Sequence, residues 1–217
     1  MYGFLVSLGI LASLLVADHI VKKDGKDPKV LWDASFYTII GGVIGARIYH
    51  VINFFSYYSQ NPINIFKIWN GGLGIIGAII GGVAVLYIYL KVNREQTSYW
   101  LDVAAIVTPL GQAIGRWGNF FNKEIYPYCI YESVLDFALF LLMFYAYKNL
   151  GKNKKHGFFF YLYIIGYSLV RFGLEFTKRN AWEIAGLLNV AQFISILALV
   201  TAVIKIGLIN KDDLHRK

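Results

Sequence analysis

Residues 101–126, LDVAAIVTPLGQAIGRWGNFFNKEIY, decide how the chain is read. The first half is the apolar run of a membrane-spanning helix. The second half sets Arg116, Asn119, Asn122 and Glu124 within nine residues. A charged side chain at the centre of a bilayer costs from about 2.5 kcal/mol upward. The pattern therefore predicts a span whose last turns line a polar site instead of facing lipid.

The rest of the chain agrees with a membrane setting. Of 217 residues, 57% are hydrophobic and 16% charged, where soluble domains average about a quarter charged. The mean hydropathy is +0.52. Apolar runs at 2–20, 32–55, 71–90, 101–122, 131–147, 158–177 and 185–209 predict about seven transmembrane helices. The fold class is thus all-α, a polytopic helical bundle forming one integral membrane domain over 1–217. The GLGIIG stretch at 72–77 matches a dinucleotide-binding spacing, but it lacks the preceding strand and reads as helix packing. Glycines four apart, Gly41/Gly45, Gly77/Gly81 and Gly111/Gly115, predict close helix approaches.

Loop charges give the orientation. Lys22, Lys23, Lys26, Lys29, Lys91, Arg94, Lys148, Lys152, Lys154, Lys155, Lys211, Arg216 and Lys217 fall in one set of alternate loops. The other set holds only Lys67, Lys123, Lys178 and Arg179. The positive set belongs inside, so the N-terminus is expected outside and the C-terminus inside. Lys205 can snorkel to the inner side. Trp32 and Trp100 then lie at inner span ends, and Tyr57, Trp69 and Trp182 at outer ends. The net charge of +8 is explained by these loops and points to no nucleic acid. One cysteine, Cys129, and four scattered histidines predict no metal centre.

Three arginines remain inside spans. Arg47, Arg116 and Arg171 stand late in the second, fourth and sixth, which run in one direction. All three are expected toward the outer leaflet, matched in number by Glu124, Glu132 and Glu175. Tyr2 opens the first span on that side, and Tyr167 lies four residues before Arg171. One reading is a structural ion-pair network, although buried pairs stabilise poorly. The other is a site for an anion, since guanidinium forks bind phosphate bidentately. The natural anion at that depth is a phospholipid head group.

The residues also carry a resemblance. GRWGNFFNKE, residues 115–124, is similar to the G-R-x-G-N-F-x-N-x-E signature of the prolipoprotein diacylglyceryl transferase family. YPYCIYE, residues 126–132, resembles that family's H-P-x-x-x-Y-E, with Tyr126 in place of the histidine. YSLVRFGLEF, residues 167–176, resembles its Y-x-x-x-R-x-x-x-E-F. Weaker likenesses lie at Tyr2 and around Arg47.

The resemblance implies a seven-span enzyme of the bacterial cytoplasmic (inner) membrane, with its active site toward the outer leaflet. Such an enzyme moves the diacylglyceryl group of phosphatidylglycerol to the thiol of a preprolipoprotein's lipobox cysteine, without a cofactor. Its partners are then phosphatidylglycerol, the lipobox segment and membrane lipids. It assigns phosphate binding and polarisation to Arg116 and Arg171, and head-group positioning to Asn119 and Asn122. Glu124, Glu132 and Glu175 orient the arginines, while Tyr2, Tyr167 and Arg47 complete the pocket. Tyr167 is also a candidate in thiol deprotonation. Two departures stand out. Ile76 occupies the place of a third-span histidine, and the outer segment between Glu124 and Tyr131 is short. A catalytically silent lipid-binding relative stays open as an alternative. An anion channel or carrier fits less well, because the inner halves of the arginine-bearing spans are mostly apolar.

Overall fold

The structure, a computed structural model, describes residues 1–151, 154–176, 183–184 and 188–214. Lys152, Lys178, Arg179, Trp182, Arg216 and Lys217 lie outside the described residues, as do the predicted span ends at 177 and 185. Eight helices follow in order: α1 (Tyr2–Lys23), α2 (Pro28–Asn53), α3 (Phe55–Gln60), α4 (Ile75–Val92), α5 (Thr97–Phe121), α6 (Tyr128–Leu150), α7 (Phe158–Glu175) and α8 (Val190–Leu214). A two-residue antiparallel pair, Glu183–Ile184 with Leu188–Asn189, precedes α8. The chain is an all-α, multi-pass membrane protein, and its six helices other than α3 and α5 are long and apolar enough to cross a bilayer.

The fourth predicted span, α5, is long enough but is not among those six. Asp102, Gln112, Arg116 and Asn119 lower its apolarity. Burial explains why this is tolerated: Tyr99, Trp100, Val103, Ile106, Val107 and Ala113 are among its many buried side chains. A helix surrounded by other helices answers to its neighbours, not to lipid.

The chain divides into two compact units. One comprises Met1–Asp24 and Ser98–Lys217, and the other Gly25–Thr97. In the smaller unit α2 packs on α4. A Cβ added at Gly45 would collide with the Gly77 carbonyl oxygen, and one at Gly81 with the Gly41 carbonyl oxygen. Both predicted glycine pairs therefore bring two backbones together. Asp27 caps α2 by accepting the Lys29 amide at 2.9 Å, with Pro28 at the first helical position.

In the larger unit, Gly111 approaches Gly9 of α1, and a Cβ at Gly9 would stand 2.8 Å from the Gly111 oxygen. Gly115 differs from expectation, since a Cβ there meets nothing within 4 Å. Several ties fix the ends of the helices. Asp24, after α1, accepts Tyr99 at 3.1 Å and Tyr147 at 2.6 Å. Asp102 of α5 accepts the Gly157 amide at 2.6 Å and the Phe160 amide at 2.7 Å, capping α7 from another helix. Asn189 and Gln192 exchange amide bonds at 3.1 and 2.8 Å, a capping box that starts α8. The end of α1, start of α5, end of α6 and start of α7 thus share one face of this unit, with Lys22, Lys23, Lys148, Lys154 and Lys155.

Candidate active site

The opposite face of the larger unit collects the polar residues. Arg116 of α5 donates to Glu132 Oε1 of α6 at 2.6 Å. Arg171 of α7 reaches the same oxygen at 3.2 Å and donates to the Tyr128 hydroxyl at 3.0 Å. Its second terminal nitrogen lies 3.6 Å from Glu175 Oε2, one turn later on α7. Three helices therefore meet at one carboxylate oxygen. Their joining is helped by Ser133, which donates to the Ala113 carbonyl at 2.8 Å and ties α6 to α5.

Exposure separates the two sides of this cluster. Glu132 is 0% exposed, whereas the side chains of Arg116 and Arg171 are 26% and 22% exposed. The carboxylate fixes the forks from behind. Among the described residues Arg116 has this one hydrogen-bond partner, so most of its donors are not taken by protein groups. Two pre-oriented cations with open donors form a ready seat for an anion of phosphate geometry.

The neighbouring residues are placed less uniformly. Asn119, buried, donates to Glu124 Oε2 at 2.9 Å, and Asn122 reaches Glu124 Oε1 at 3.5 Å. Glu124 was expected to orient an arginine and instead serves these two amides. The turn after α5 folds back, with Lys123 and Ile125 at positive φ, and carries the carboxylate over Asn119. The Tyr2 ring covers Gly118, where a Cβ would come within 2.6 Å of it. Tyr167 stacks on Tyr163 with ring centroids 5.7 Å apart, one turn before Arg171 on α7.

Arg47 belongs to the smaller unit and is engaged there. Its Nε donates to the Ile65 carbonyl at 2.8 Å. Its terminal nitrogens donate to the carbonyls of Gly71 at 2.7 Å, Gly72 at 2.9 Å and Lys67 at 3.3 Å, and to that of Asn64. All five N–H groups are used, and the guanidinium also lies 5.2 Å over the Tyr58 ring. Its partners are main chain, not the carboxylate that a count of charges suggested. The 3-10 turns Pro62–Phe66 and Ile68–Asn70, and the left-handed Gly71 and Gly72, wrap those carbonyls around it.

Asp136 was missed. It is 0% exposed, one turn beyond Glu132, and among the described residues neither oxygen has a hydrogen-bond partner, nor does Glu132 Oε2. Two acids four residues apart in an otherwise apolar run were the available signal. Cys129 is buried at 1% exposure and packs as a small apolar side chain. Among the described residues no group of histidine, cysteine and acidic side chains is arranged to hold a metal.

Comparison with known proteins places this arrangement in a family. Residues 1–208 match the sequence model for prolipoprotein diacylglyceryl transferase. A phosphatidylglycerol–prolipoprotein diacylglyceryl transferase of Finegoldia magna is 35% identical over 221 residues, covering 94% of this chain and 88% of the relative. One from Clostridium botulinum is 36% identical over 240 residues, covering 98% and 93%. One from Staphylococcus aureus strain Newman is 33% identical over 232 residues, covering 93% and 82%. A match along nearly the whole chain, with the signature arginines meeting at one carboxylate, makes this protein a member of the prolipoprotein diacylglyceryl transferase family.

Proposed function

We propose that the protein transfers the diacylglyceryl group of phosphatidylglycerol to the lipobox cysteine of preprolipoproteins, using Arg116 and Arg171 as the phosphate seat. The observation that carries this assignment of roles is the pair of partly exposed guanidinium groups sharing Glu132. The cysteine sulfur attacks the glyceryl carbon next to the phosphate ester oxygen. The new C–S bond forms as the C–O bond breaks, and glycerol phosphate leaves with the electron pair. Negative charge grows on the phosphate in that step, which is where fixed cations lower the barrier most. Removing one such donor elsewhere costs about 10²–10³ in rate.

Glu132 and Glu175 hold the forks in place. Asn119, Asn122 and Glu124 form a hydrogen-bonding rim for head-group hydroxyls. Tyr2 and Tyr167 line the pocket, and Tyr167, four residues from Arg171, is the residue suited to pass on the thiol proton. Arg47 contributes by holding the segment at 64–72. The protein works in the bacterial cytoplasmic membrane with the arginine pair toward the outer leaflet, N-terminus outside and C-terminus inside. The lysines at the opposite face of the larger unit support that orientation.

The test incubates purified protein, phosphatidylglycerol vesicles and a lipobox peptide, and weighs the peptide by mass spectrometry. A diacylglyceryl mass gain that disappears in Arg116→Ala and Arg171→Ala is expected. An unmodified peptide alongside intact lipid binding would identify a silent lipid-binding relative instead.

A further inference from the structure

The seam between α7 and α8 holds two adjoining hollows of about 370 Å³ each. Phe160 and Tyr161 of α7 wall both. The first is floored by Ala198, Thr201 and Ala202, whose small side chains leave a furrow beneath the aromatic rings. Thr201 donates its hydroxyl to the Leu197 carbonyl at 2.8 Å, so the floor offers no free donor to a ligand. The second hollow has a different character, because Lys205, His156 and Ser98 stand in it. Among the described residues Lys205 forms no ion pair. Lys154 adds positive charge at the same end, 4.7 Å over the Phe158 ring. The first amides of α7 contribute nothing here, since Asp102 already takes those of Gly157 and Phe160.

The dimensions suit one kind of molecule. From Lys205 back to Ile194 is eleven residues of helix, roughly 16 Å at 1.5 Å per residue. Half of a bilayer's hydrocarbon core is roughly 15 Å. We propose that this furrow binds an anionic phospholipid, with its phosphate on Lys205 and His156 and one acyl chain laid over Ala198, Thr201 and Ala202. Phe158, which opens α7, and Arg171 are thirteen residues apart on that helix, about 20 Å. The site therefore lies at the other membrane face from the arginine pair and does not rest on the proposed reaction.

A lysine that merely snorkels would favour no particular head group. The experiment reconstitutes the full chain in phosphatidylcholine vesicles with a trace of diazirine-tailed phosphatidylglycerol or, in parallel, diazirine-tailed phosphatidylcholine. Labelled peptides are mapped by mass spectrometry. The anionic probe is expected to label residues 194–202 about fivefold more than the zwitterionic one, the factor that one lysine supplies near a head group of net negative charge. Lys205→Glu removes that excess while labelling near Arg116 and diacylglyceryl transfer persist. Ala198→Leu fills the floor and lowers labelling there by both probes with Lys205 intact. Equal labelling of the wild type by the two probes, an excess that survives Lys205→Glu, or unchanged labelling in Ala198→Leu overturns the proposal.

Discussion

Arg47 and the Arg116–Arg171 pair are the same residue type standing late in their helices, yet their partners are of opposite kinds. Arg47 directs every donor at a main-chain carbonyl and is 7% exposed. Arg116 and Arg171 rest on side-chain carboxylates and keep about a quarter of their surface open. A buried arginine becomes structural when irregular backbone needs its carbonyls satisfied. In the proposed reading Arg116 and Arg171 serve as binding groups because their protein partners leave part of each guanidinium unsatisfied.

The sharpest way to break that contrast is by activity. Arg116→Ala or Arg171→Ala is expected to cut peptide modification by about 10²–10³ or more while the protein stays folded. An equal loss in folded Arg47→Ala would erase the distinction. For Arg47→Ala the expected damage is to the fold, on the order of 3 kcal/mol, because several carbonyls lose their donor. Thermal unfolding in detergent and proteolysis between residues 62 and 72 would read it. Arg47→Lys should rescue little, since an ammonium cannot fork among five acceptors.

Asp136→Asn sharpens the comparison from the carboxylate side. Removing an unpaired buried acid is expected to raise stability by about 1–2 kcal/mol, with the new amide able to donate to Glu132 Oε2. A lower melting temperature would show that the carboxylate holds a partner in the working protein. The smallest effect concerns the glycines. Gly115→Ala should be neutral or stabilising by up to about 1 kcal/mol, because helical glycine is costly and space is open. Gly45→Ala should weaken the α2–α4 contact, and equal melting temperatures for the two variants would contradict the packing.

The all-α membrane architecture and the residues of the main cluster were legible because bilayer thickness and the cost of intramembrane charge act locally on sequence. Arg116, Arg171, Glu132 and Glu175 stand out as ionised groups in apolar runs, and their spacing sets them on inward faces. Arg47 stood out by the same rule, but its partners are carbonyls, which every residue has and no letter reveals. The amide partners of Glu124 were not legible, because its aim depends on the positive φ of Lys123 and Ile125. Asp136 was overlooked within a run taken as apolar. The silent Cβ space at Gly115 shows the limit of spacing rules, since four-residue periodicity marks where a neighbour could come and not whether one does.

Asp102 sits 55 residues ahead of the amide it receives from Gly157. A chain made from its N-terminus therefore has that carboxylate waiting in the membrane before α7 emerges. The first turn of α7 is met by its acceptor on arrival, and Arg171 follows on a helix whose register has already been chosen. Order of synthesis and order of assembly coincide at this one acid.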